Sequence, residues 1–269
     1  MKHLLRSLFF LLTFHFATAS ADTPTYRDSA TGTGKNPTVT ITPAIGDLFV
    51  VIVATNGLSN SDLNEGTVTD NAGDGGNYWM QTQVVFSYGT GRHVKYAKMQ
   101  VFLRDKALST TNTVTVSSTP ASNPNSSLAT AIAISGVSTI DNQPPINDAC
   151  GYPDTHTCRM VACDHCVIQS GGGCLTPITA GSTPVVPVTN PKPNFLTTSL
   201  TITALMNASN PVGVTDPVGW TSRQAISTNV NSQPLGMTIA TLDNGFSGNT
   251  VTWGSTTPTA GNAMVIEIQ

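Results

Sequence analysis

The chain has 269 residues, of which only 10% are charged, and its formal net charge is −3. Typical soluble domains carry about 25% charged residues; here Thr, Ser, Asn and Gly take the polar share, which suits exposed strand faces and argues against a helical cytosolic enzyme. Twelve basic residues scattered among fifteen acidic ones leave no electrostatic footprint for DNA or RNA.

The first six residues, Met1 to Arg6, are basic; an apolar stretch from Leu8 to Phe16 and then Ala19-Ser20-Ala21 follow. That is the pattern of a secretory signal peptide over residues 1–21, with cleavage before Asp22. The apolar run is shorter than the roughly 20 residues needed to span a bilayer, and no later segment reads as a membrane span, so an exported protein is expected. Cleavage takes away two of the twelve basic residues and none of the fifteen acidic ones, leaving a formal charge of −5. Residues 22–269 are enough for one large β-sandwich.

From Asp22 onward the pattern is β. Thr38-Val39-Thr40-Ile41-Thr42 alternates polar and apolar before Pro43, as a half-buried strand does. Gly46-Asp47 then launches seven consecutive apolar residues, Leu48 to Ala54, rich in β-branched side chains and too short for a free helix. An unbroken apolar strand needs cover on both faces, so this one is expected at the centre of the fold. Strands are predicted at Tyr78–Phe86, His93–Leu103, Thr113–Ser117 and Leu128–Ile134. Further on, Leu200–Leu205, Gly236–Leu242, Asn249–Gly254 and Ala263–Ile268 read the same way. Between the two groups, residues 141–195 carry all five Cys, several Pro and a Gly171-Gly172-Gly173 run, with no period of 2 or 3.6. This segment is expected to be a Cys/Pro/Gly-rich inserted loop. Residues 196–269 hold too little apolar content for a separate core, which favours one sandwich interrupted by an insert over two domains.

Several of these stretches together resemble a known class of module. Gly46-Asp47-Leu48 through Val53, Val68-Thr69-Asp70 with Gly76-Asn77-Tyr78-Trp79, Thr113–Val116 and Ala133-Ile134-Ser135-Gly136-Val137 follow a recurring order. It resembles the jelly-roll (laminin-G and concanavalin-like) β-sandwich modules of secreted bacterial proteins, and Gly219-Trp220-Thr221 and Trp253 look like that class's second half. The resemblance covers Thr38–Val137 and Leu196–Gln269; it departs at the longer 70–77 turn and at the Cys-rich insert. It implies an antiparallel jelly-roll fold and carries no activity with it.

Four sets of residues could carry chemistry. Cys150, Cys158, Cys163, Cys166 and Cys174 lie within 25 residues, and in an exported chain they are expected to form two disulfides with one thiol over. The alternative is zinc, held by thiolates with His156 or His165. The C-x4-C-x2-C spacing of Cys158, Cys163 and Cys166 is that of an iron–sulfur loop, but Cys174 follows too soon. Haem attachment fails because Val167, not His, follows Cys166.

The turn Asp70 to Asn77 is the second set: Asp70, Asp74 and Asn77 could offer oxygens to calcium, although a plain turn recruits the same residues. Third, the aromatics Tyr78, Trp79, Tyr88, Tyr96, Trp220 and Trp253 have flat faces able to stack on sugar rings. Tyr88 and Trp220 are taken as the ligand-binding candidates. Fourth, Thr38/Thr40/Thr42, Thr113/Thr115, Thr201/Thr203 and Thr250/Thr252 could order water, but Thr is also an ordinary outward strand residue.

Catalytic motifs are missing: there is no Gly-x-Ser-x-Gly elbow, no His-Glu-x-x-His and no P-loop. The expected role is therefore non-catalytic: binding or adhesion outside the cell, to a glycan or to a surface or matrix protein. One rival is a structural subunit that self-associates, with Thr23–Ser29 completing a neighbour's sheet or the odd thiol cross-linking chains. Another is a concanavalin-like glycoside hydrolase using Glu267, which would need a second carboxylate close by.

Overall fold

A computed structural model of the protein describes residues 23–59, 66–88, 95–120, 126–137, 158–163, 168–169, 173–174, 185–187, 199–207, 214–230, 233–248, 250–254 and 261–268. In chain order the first eight strands are β1 (Thr25–Gly34), β2 (Thr38–Ile41), β3 (Leu48–Leu58), β4 (Thr67–Asp70), β5 (Tyr78–Tyr88), β6 (Lys95–Arg104), β7 (Val114–Thr119) and β8 (Ser126–Ser135). Then come β9 (Cys158–Cys163), β10 (Ile168–Gln169), β11 (Gly173–Cys174) and β12 (Val185–Pro187). The last five are β13 (Leu200–Asn207), β14 (Thr221–Val230), β15 (Gln233–Leu242), β16 (Thr250–Thr252) and β17 (Gly261–Ile268). The described residues contain no helix, and every strand pair is antiparallel.

β3 fixes the layering. Successive strand residues point to opposite faces, so its apolar run divides into two sets. Leu48, Val50, Ile52 and Ala54 join Ile202, Ala204 and Met206 of β13 and Met264 and Ile266 of β17 in one fully buried cluster. Phe49, Val51 and Val53 turn the other way, onto Val39 and Ile41 of β2 and Val114 and Val116 of β7. The sheet that holds β3, in the order β1-β8-β3-β6-β5, is therefore a middle layer. Sheet β2-β7-β4 covers one face and sheet β14-β15-β13-β17-β9 the other. A third cluster, with Leu205, Ala240, Val251, Trp253 and Val265, lies on the far side of the second large sheet, where β16 pairs with β12. Fully burying one Val, Leu or Ile side chain contributes about 1.5–3 kcal/mol, and β3 does this on both of its faces.

Each large sheet takes its strands from one half of the chain, and the cluster between them draws on both halves. Polar side chains pin the rims. Gln224 Nε2 donates to Ser29 O and Oγ at 3.0 and 2.9 Å, Asn56 Nδ2 to Pro234 O at 2.7 Å, and Ser126 Oγ to Gln233 O at 3.0 Å. The Arg223 guanidinium lies 3.7 Å from the centre of the Tyr26 ring.

Within the 141–195 segment, expected as an inserted loop, Cys158–Cys163 forms β9, an edge strand paired with β17, and Val185–Pro187 forms β12. Cys158-Arg159-Met160-Val161-Ala162-Cys163 has no alternation because its strand character comes from a ready-made partner, with Arg159 in register with Glu267. The N-terminal segment Thr23–Ser29, which one rival reading gives to a neighbour's sheet, runs into β1, which pairs with β8 of its own chain from Thr25↔Ser135 to Gly34↔Ser127.

Candidate functional site

The acidic turn between β4 and β5 closes around a guanidinium. Arg104 ends β6, its side chain fully buried, and Nε donates to Asp70 Oδ2 at 2.8 Å. Its other nitrogens bond Asp74 Oδ1 and the carbonyl of Lys106. Asp70 Oδ2 also accepts the Tyr78 hydroxyl at 2.9 Å, and Asp70 Oδ1 accepts the Ala72 amide at 2.9 Å. Asp74 Oδ2 faces the amide and hydroxyl of Ser109 at 3.4 and 3.5 Å. Gly76 is required by close approach, because a Cβ there would run into the Arg104 guanidinium.

The electrostatics follow from this packing. Burial acts most strongly on Asp74 and opposes its ionisation. The bond and charge of Arg104 and the amides of Gly76 and Ser109 outweigh it, holding the carboxyl below its ordinary value. Burial, then the charge and hydrogen bond of Asp70, push the Tyr78 hydroxyl far above the usual phenol range. Tyr78 thus stays a neutral donor. The third calcium candidate, Asn77, turns away: its amide donates to Asp105 Oδ1 at 2.7 Å and its side chain to Oδ2 at 3.4 Å. Asp105 Oδ2 also accepts Trp79 Nε1 at 3.1 Å. A guanidinium thus supplies the positive charge between Asp70 and Asp74, an arrangement suited to a structural turn. Arg104 was not singled out from sequence. The available signal is an arginine ending the buried run Val101-Phe102-Leu103, two residues before Lys106.

Two of the grooves on the described surface are lined by aromatic side chains. The first, about 470 Å³, runs beside this turn and is lined by Val68, Tyr78, Trp79, Met80 and Phe102. Trp79 is the most exposed of its aromatics, at 40%, but the indole N–H and the Asp70 carboxylate in this groove already have partners.

The second groove, about 380 Å³, lies between the 214–220 loop and the 251–254 segment that includes the end of β16. Trp220 and Phe246 form an aromatic corner, their ring centres 5.7 Å apart and planes tilted by 49°. A turn bonded from Trp220 N to Pro217 O at 3.1 Å sets Trp220, and Gly254 N to Thr215 O at 2.7 Å latches the loop to the strand end. Gly254 is needed for that approach, since a Cβ would meet Thr215. Asp216 and Trp253 also line this groove. Asp216 Oδ1 and Trp253 Nε1 are both closed to solvent without a hydrogen-bond partner. A buried acceptor and a buried donor left unmade are each unfavourable by about 1–3 kcal/mol.

The remaining sequence candidates are dispersed. Tyr88 ends β5 opposite Lys95, and its side chain lies outside the described residues. So do the side chains of Cys158, Cys163 and Cys174, the whole of Cys150 and Cys166, and His93, His156 and His165. The disulfide, odd-thiol and zinc expectations all fall there. Among the described residues, no group of three or more His, Cys, Asp or Glu is placed to hold a metal ion. Tyr96 is half-buried and Trp253 fully buried. Glu267 is buried in β17, in register with Thr201 and Arg159.

The Thr rows meet on the outer face of sheet β2-β7-β4, where Thr38 stands opposite Ser117, Thr40 opposite Thr115 and Thr69 opposite Ser117. Their neighbours Val39, Ile41 and Val116 point inward, so this is the solvent face of a one-sided sheet. Thr201 and Thr203 are buried. No helix among the described residues is long and apolar enough to cross a membrane. No family model, curated protein or solved structure matches the chain.

Proposed function

We propose that this is an exported, non-catalytic glycan-binding protein that engages its ligand at the Trp220 groove. The observation that carries the reading is an open groove lined by aromatic faces and a carboxylate. Trp220 and Phe246 offer the flat apolar surfaces that sugar C–H groups pack against. Asp216 lines the same groove, and a few fixed polar groups in an apolar groove are what orient a small ligand. The signal-peptide pattern of residues 1–21 supports export.

The jelly-roll resemblance has support from strand order. β1-β8-β3-β6 facing β2-β7-β4 is the order that two nested Greek keys give, with β5 added to the first sheet. On this reading the jelly roll occupies residues 25–135, and the sheet carrying the groove packs on its back.

The test is retention of the full chain on a panel of immobilised polysaccharides, for wild type, Trp220→Ala and Phe246→Ala. Wild type is expected to be retained on at least one, and each variant to lose retention with an unchanged β-sheet spectrum and a Tm within a few degrees. Retention of Trp220→Ala equal to wild type, or binding of wild type to none of the panel, would refute the assignment.

A further inference from the structure

Resting on the glycan reading, we infer that the Trp220 groove selects sugars bearing a free, protonated amino group, such as glucosamine-containing chains, over neutral and acidic ones. Among the described residues lining the groove, Asp216 is the only charged one; the others are Thr, Pro, Val, Gly and aromatics. Its carboxylate has no cation paired with it among the described residues, and Oδ1 accepts no hydrogen bond from the protein. A carboxylate so placed is stabilised most by a ligand that brings positive charge and several N–H donors together. An ammonium group has three donors and no acceptor.

The surrounding rings favour the same group. A cation placed against the faces of Trp220 and Phe246 gains from their quadrupoles, and Trp is the best ring for this. An amino sugar therefore answers both features at once, its pyranose face on Trp220 and its ammonium toward the Asp216 carboxylate. N-acetylation replaces the charge with a neutral amide. A uronate or sulfate would face Asp216 with like charge and no Lys or Arg among the described lining residues to offset it.

The chain's formal charge is −3, so a polyamine is attracted to it without any site, and the experiment must separate that background. Calorimetric titration of the full chain with hexamers of glucosamine, N-acetylglucosamine, glucose (β-1,4-linked) and galacturonate gives the comparison. The glucosamine hexamer is expected to bind about tenfold tighter or more than the two neutral hexamers, the advantage fading as pH rises through the amine's titration. Asp216→Asn, nearly isosteric, should remove the preference, bringing glucosamine to the level of the neutral hexamers measured on the same variant. Trp220→Ala, which keeps the net charge, should abolish all of them.

Equal affinities for glucosamine and neutral hexamers in wild type would overturn this inference and leave glycan binding standing. So would glucosamine binding that survives both substitutions, since it would then be charge attraction alone. Binding of no hexamer would remove the glycan reading itself.

Discussion

Replacing Arg104 by Met tests how the 70–77 turn is held. The guanidinium is fully buried, with the Asp70 and Asp74 side chains 4% and 6% exposed beside it. Met fills much of the same volume but leaves two buried carboxylates facing each other and the Lys106 carbonyl without its donor. Breaking a buried pair by removing one partner is unfavourable by about 3–5 kcal/mol. For a domain of this size that corresponds to a Tm lower by roughly 6–20 °C. Denaturant melts of Arg104→Met should show that loss, and adding Asp70→Asn and Asp74→Asn should recover most of it, because the uncompensated charges are then gone. Calcium is the second arm. Millimolar calcium should leave the wild-type Tm unchanged and raise that of Arg104→Met, where the carboxylates have lost their cation. A loss below about 1 kcal/mol, or a wild-type protein stabilised by calcium, would refute the assignment of Arg104 as their counter-ion.

The same turn predicts acid sensitivity. Asp74 titrates below its ordinary 3.8 in the folded chain, so its contribution is fully present above about pH 4 and disappears as pH falls through the lowered folded value. Melts from pH 7 to pH 2 should therefore show Asp74→Asn losing less stability than wild type below pH 4, with parallel curves above it. Elsewhere, Thr130 of β8 lies between Leu128 and Ile132 on the face toward the second large sheet, and its buried hydroxyl has no partner. Thr130→Val keeps the shape and removes the orphaned group, so chemical denaturation should show a gain of about 1 kcal/mol; a loss would mean that the hydroxyl is satisfied in solution.

Much of the layering was legible in the sequence, and for a definite reason. A strand buried on one face alternates, as Thr38-Val39-Thr40-Ile41 does; a strand buried on both does not, as Leu48–Ala54 shows. The contrast separates a cover sheet from a middle sheet before any contact is known. What did not show was that each large sheet takes its strands from one half of the chain, because pairing is set by partners far away in sequence. β9 was invisible for the same reason. Its residues have no period of their own, and only the open edge of β17 makes them a strand.

The candidate site was legible in proportion to how local its signals are. Trp220 stands out because Gly219-Trp220-Thr221 is a turn with an aromatic at a strand start, and its turn can be read from neighbouring residues alone. Asp216 reads as one more turn acid, and Phe246 carries no pattern at all; both gain meaning only where the 214–220 loop latches onto Gly254. The converse holds for Asp70 and Asp74, whose spacing suggests a metal loop until Arg104, thirty residues further on, is brought between them. Two acidic turns therefore end with opposite chemistry on one rule. A carboxylate whose counter-ion is built into the chain becomes structure, and one left without a counter-ion is where a cationic ligand can bind.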